Sequence, residues 1–146
     1  MDVLSDILVF IVALLHFGFL YLEMFLWTKP RGLKAFGNTP EKAEIMKVLA
    51  ANQGLYNGFL AAGLIWSLTV SSRLFEFDIK MFFLGCVILA ALFGAATVSR
   101  RILLIQGLPA IVALAMTVAF ANPYLEETDC CSKPQSAEIN KVVSNS

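Results

Sequence analysis

The chain has 146 residues, of which 58% are hydrophobic and 15% charged, with 11 basic and 11 acidic side chains in balance. Soluble domains carry about a quarter charged residues, so this composition, with a mean hydropathy of +0.75, excludes a water-soluble domain of this length. The absence of any basic excess excludes an electrostatic footprint for nucleic acid. One small integral membrane domain is what remains.

Four apolar runs follow one another, at 7–27, 48–70, 81–98 and 102–121. About 20 helical residues cross a hydrocarbon core of about 30 Å, and all four runs reach or approach that length. They are continuous rather than alternating, which favours helices over barrel strands. The predicted fold is all-α, an integral membrane four-helix bundle with helices over 4–27, 40–70, 79–98 and 101–121. Residues 1–121 form the membrane domain, and 122–146 read as a polar, disordered tail. The acidic start, Asp2 and Asp6, and the length of the first run argue against a cleaved signal peptide.

The first link contains Pro30, Gly32 and Gly37, then Thr39-Pro40-Glu41. Thr39 suits a cap, Pro40 the first helical position and Glu41 the positive helix end, so the second helix starts near Pro40. Glu44 and Lys47 lie three apart on its exposed start. Leu33 and Phe36 read as loop residues that dip toward the interface. The second link, 71–80, reads as a short charged turn. The third, Ser99-Arg100-Arg101, makes its flanking helices antiparallel neighbours. The first and third links hold seven basic residues, Lys29, Arg31, Lys34, Lys42, Lys47, Arg100 and Arg101. The opposite side holds four, Arg73, Lys80, Lys133 and Lys141. Positive charge marks the cytoplasmic side, so both termini are expected outside, in a multi-pass protein of the plasma (inner) membrane.

Glu23 is the sharpest candidate, because a carboxylate inside a span is costly and normally faces a cavity or a partner. The alternative is an interfacial residue paired with Lys29, Lys34 or Arg100. His16 lies seven residues earlier, on the same helical face. In the second helix Asn52, Gln53, Tyr56 and Asn57 span an arc of about 140° at about 100° per residue. Beside them runs Ala50, Gly54, Gly58 and Ala62, a small-residue ridge that admits a neighbouring backbone. The amides have a simpler reading as glue between helices. In the last helix Pro109 follows Gln106-Gly107-Leu108 and must lie inside the span, where it removes the donor for the Ile105 carbonyl and kinks the chain. The third helix, with Cys86, reads as a packing element. The intramembrane polar residues of the helices share the half facing the basic links, as in a polar pocket on that side.

One histidine and no Cys/His spacing leave no metal site, and no nucleotide or nucleophile motif is present. No cofactor is expected, and no catalytic residue can be assigned. Cys130 and Cys131 are adjacent in the tail and have no defined role.

The segment from His16 to Trp27 (His-Phe-Gly-Phe-Leu-Tyr-Leu-Glu-Met-Phe-Leu-Trp), then Pro30-Arg31-Gly32 with Phe36-Gly37, the string Ala51-Asn52-Gln53-Gly54-Leu55-Tyr56-Asn57-Gly58-Phe59-Leu60-Ala61, then Gly94-Ala95-Ala96-Thr97 and Gln106-Gly107-Leu108-Pro109-Ala110 resemble the small membrane proteins of domain-of-unknown-function family 1304. The resemblance covers about 4–121. It implies a four-span bacterial protein with relatives in some fungi and no established activity. The tail departs from that family's usual short form.

Three readings follow. In the first, a homo-oligomer in contact with membrane lipids binds or transports a small amphipathic or cationic solute. Glu23 is its proton-exchanging carboxylate, by analogy with small multidrug transporters that also carry a first-helix Glu. In the second, an intramembrane enzyme acts on a lipid or isoprenoid with His16 and Glu23 as acid and base. In the third, a structural subunit uses its polar residues for packing alone.

Overall fold

The computed structural model describes residues 3–124. Cys130, Cys131 and the tail from 125 onward lie outside the described residues. The elements are α1 (Val3–Phe25), α2 (Pro30–Phe36), α3 (Pro40–Ser67), α4 (Arg73–Thr97), a π-turn (Leu103–Gly107) and α5 (Leu108–Phe120). No strand occurs among the described residues.

The most extensive packing is between α1 and α3; α3 also packs on α4, α4 on α5 and the π-turn, and α5 on α1. This closed cycle surrounds one core, built from Val9, Val12 and Ala13 of α1, Leu64 of α3, Leu84 and Val87 of α4, and Ala110 and Ala113 of α5. Three of the eight are alanines, so the backbones approach closely, as membrane helices do where small side chains meet. The buried positions of α1 include Ser5, Val9, Val12, His16 and Glu23, spaced in alternating steps of three and four and then seven. This heptad seam keeps one face of the helix against its partners.

Among the described residues three helical segments, Val3–Phe25, Arg73–Thr97 and Leu103–Phe120, are long and apolar enough to cross a membrane. α3 is not among them, although it is the longest helix at 28 residues. Asn52, Gln53, Tyr56 and Asn57 lower its hydropathy.

Several boundaries differ from the sequence reading. The first link is not a plain loop: Pro30 opens α2, and Gly37, at φ 63°, closes it in the left-handed conformation that glycine adopts without strain. Gly32 is required within it, because a Cβ there would lie 2.0 Å from the Leu26 carbonyl oxygen. α3 starts as expected, with the Thr39 hydroxyl accepting from the Lys42 N–H at 3.3 Å, and ends at Ser67 rather than 70. The exposed Glu44 and Lys47 side chains pair. α4 begins at Arg73, six residues before the expected 79, so most of the charged turn is helix. The kink expected at Pro109 takes the form of the π-turn, closed by the Leu108 N–H on the Leu103 carbonyl. The widened turn admits the proline at the start of α5.

Candidate functional site

Glu23 sits near the C-terminal end of the α1 seam and is 8% exposed. It faces α3 at Gly54, where an added Cβ would lie 3.1 Å from the Glu23 Cβ and 2.8 Å from Met24 Cγ. The missing side chain is what lets the two helices meet here. One turn along α3, the Asn57 amide nitrogen donates to the Glu23 carboxylate at 2.7 Å. Asn57 is itself 6% exposed. Among the described residues no basic group lies within ion-pair distance of Glu23, so Lys29, Lys34 and Arg100 do not hold it.

His16 lies two turns away, about 10 Å along the axis at 1.5 Å per residue, and is fully buried. Its Nδ1 is 2.9 Å from the Val12 carbonyl, which can only accept. Nδ1 therefore carries the hydrogen, and Nε2 of the neutral ring accepts from the Gln106 amide nitrogen at 3.3 Å. Phe19 meets the imidazole edge-on, centroids 5.8 Å apart. The π-turn thus brings Gln106 into the bundle at mid-depth. Glu23–Asn57 joins α1 to α3; His16–Gln106 joins α1 to the last helix.

The other expected site residues are placed elsewhere. Asn52, Gln53 and Tyr56 are exposed and do not reach Glu23. On the small-residue ridge Ala50, Gly54 and Gly58 are buried, whereas Ala62 is exposed and Ala61 is buried instead. A helix turns once in about 3.6 residues, so a four-residue spacing drifts off the contact face. Cys86 is half-buried. Beyond Glu23, an apolar groove of about 340 Å³ runs along the outer face of α1, lined by Ile11, Leu14, Leu15, Gly18, Phe19 and Leu22.

The structure also has a polar cluster that the sequence reading did not anticipate, at the opposite end of the bundle. The Lys80 ammonium is 1% exposed and donates both to Asp6 of α1 and to Glu76 one turn earlier in α4. Beside it the hydroxyls of Ser5 and Thr117 meet at 2.8 Å. Buried polar groups are therefore not confined to the half facing the basic links. The signal in the sequence is the four-residue spacing of Glu76 and Lys80, which straddles the expected start of the helix at 79 and so does not read as a helical pair. Among the described residues no three His, Cys, Asp or Glu side chains are grouped to hold a metal ion.

A family model described as "Protein of unknown function (DUF1304)" matches residues 10–118. The chain is 38% identical over 116 residues to the uncharacterized protein YpaA of Lactococcus lactis subsp. lactis (strain IL1403), an alignment covering 78% of this chain and 96% of that one. No solved structure matches.

Proposed function

The chain belongs to the DUF1304 family, and we propose that it binds and transports a small cationic or amphipathic solute in exchange for a proton at Glu23. The observation that carries this reading is a buried carboxylate whose hydrogen-bond partner is a neutral amide, with no basic counter-ion among the described residues. A carboxylate that served packing alone would be expected beside a cation, because an uncompensated buried charge is costly. Glu23 can instead be neutralised by a proton or by an entering cation, each excluding the other. The solute's charge meets the carboxylate as the proton leaves to solution. The net charge of the site is unchanged.

In this reading α3 is the fourth crossing. Of its polar residues Asn57 is satisfied by Glu23 of α1, whereas Asn52, Gln53 and Tyr56 face away from α1. The basic links face the cytoplasm, both termini are outside, and the protein is an oligomer in the plasma membrane. The enzyme reading is weaker on geometry. His16 and Glu23 have separate partners on separate helices and stand about 10 Å apart along α1, too far to act as acid and base on one bond.

The test is flux in proteoliposomes with tetraphenylphosphonium as the probe cation. An imposed pH gradient is expected to drive uptake by the parent protein and none by Glu23→Gln. Equal uptake by both, or none by a folded parent, contradicts the reading.

A further inference from the structure

We infer that the inner half of α3 is the contact face of a homodimer, with Asn52, Gln53 and Tyr56 pairing across a twofold axis. Leu49, Gln53, Tyr56, Leu60, Gly63 and Ser67 recur in steps of four and three, so they form one heptad seam along α3. The outer half of that seam is covered. Gly63 lies against the Phe83 ring so closely that a Cβ would come within 2.1 Å of it. Ser67 is fully buried, and Leu60 packs on the core. The inner half of the same seam is bare: Leu49 is 65% and Tyr56 59% exposed, and Gln53 and the adjoining Asn52 are exposed too.

Among the described residues, the side chains of Asn52, Gln53 and Tyr56 have no hydrogen-bond partner. Tyr56 and Gln53 sit one and four residues before Asn57, at the depth of Glu23 and the turn beyond it. Hydrocarbon cannot satisfy such groups, and interhelical amide bonds are the common remedy in membranes. A carboxamide carries both donors and an acceptor, and a phenol donates and accepts. Two identical copies of this face can therefore satisfy one another across a twofold axis, where residue i meets j and j meets i.

α3 is also the long helix that is not apolar enough to cross alone, and burying this face in a second copy removes the obstacle. The groove on α1 is the competing surface. It is lined by apolar residues, so acyl chains fill it with no polar group left unpaired. The second copy therefore sits on α3. The inference rests on α3 crossing the membrane, as in the reading above, and not on proton exchange.

The test uses the full chain with Cys86, Cys130 and Cys131 replaced by serine, oxidised in native membranes. Gln53→Cys and Tyr56→Cys are expected to give several-fold more cross-linked dimer than Gly18→Cys. Gly18 marks the α1 groove, and an added Cβ there meets nothing within 4 Å. Dominant cross-linking through Gly18→Cys, or none at any position, overturns the inference. In nanodiscs the unmodified chain should have twice the protomer mass, and Asn52→Leu with Gln53→Leu should shift it toward one. A parent monomer, or a dimer indifferent to that double change, also overturns it. A monomer that still exchanges protons for tetraphenylphosphonium removes the dimer and leaves the Glu23 reading intact; a dimer without exchange does the reverse.

Discussion

Glu23 and Asn57 meet at 2.7 Å across the contact of α1 with α3, so a buried carboxylate is held by a neutral amide where an ion pair would be expected. The arrangement needs the glycine at 54, because a side chain there would push α3 away from Glu23 and Met24. Removing Asn57 leaves the carboxylate without its donor. Asn57→Ala should cost about 1–3 kcal/mol, the penalty for orphaning a buried polar group, read as a lowered Tm in detergent. Glu23→Gln keeps an amide-to-amide hydrogen bond and should cost less. Combined in a double-mutant cycle with Glu23→Ala, which removes the acceptor, Asn57→Ala should be clearly non-additive; additivity would show that the contact carries no energy.

The Lys80 cluster gives a second prediction. Lys80 is buried between Asp6 and Glu76. Lys80→Met leaves two carboxylates with no cation, and breaking a buried pair this way costs about 3–5 kcal/mol. The triple change Asp6→Asn, Glu76→Gln, Lys80→Met removes all the charges and should recover most of that loss. Thermal unfolding of the three proteins decides it: a Lys80→Met protein as stable as the parent would mean the triad does not fasten α1 to α4.

Glycines form a ranked series. At Gly32 a Cβ would strike the backbone oxygen of Leu26 at 2.0 Å, and at Gly63 it would meet three atoms of the Phe83 ring within 2.4 Å. Gly32→Ala and Gly63→Ala should each destabilise by about 1–3 kcal/mol through overpacking. Gly58→Ala meets the flexible end of Leu20 at 2.5 Å and should cost less. Gly18 and Gly85 have nothing within 4 Å, so alanine there should be neutral or stabilising, by up to about 1 kcal/mol from helix propensity. An inverted order in measured Tm values contradicts the packing described.

His16 offers a spectroscopic prediction. With Nδ1 facing the Val12 carbonyl and Nε2 facing the Gln106 amide, nitrogen-15 NMR of the labelled protein should show a protonated Nδ1 and an unprotonated Nε2. Gln106→Leu should perturb the Nε2 resonance far more than the Nδ1 resonance. The reverse tautomer would mean that the imidazole does not bridge α1 to the π-turn.

Much of this architecture was legible in the residues. The apolar runs locate the long helices, and the cost of a carboxylate inside a span singles out Glu23. Its partner was harder to choose. Asn52, Gln53, Tyr56 and Asn57 share one broad arc, and only the crossing of α1 over Gly54 decides that Asn57 points inward while the other three face out. The exchange of Ala62 for Ala61 is the same lesson: small drifts in helical phase, invisible in a four-residue pattern, decide which side is covered. Lys80 is hard to read because a charged segment between apolar runs suggests a turn, although Glu76 four residues before it is the spacing of a helical ion pair. Its second partner, Asp6, is 74 residues away and depends on tertiary structure alone. The π-turn was legible only as a kink at Pro109; that the turn widens over Leu103–Gly107 is set by the structure.

In the proposed exchange, proton and cation compete for Glu23. The direct measurement is calorimetric titration of tetraphenylphosphonium into the protein in nanodiscs, repeated in buffers of different ionisation enthalpy at a pH where the free carboxyl holds its proton. By proton linkage the parent should release about one proton for each cation bound, and Glu23→Gln none. Binding by the parent with no proton released, or unchanged release from Glu23→Gln, would contradict the account.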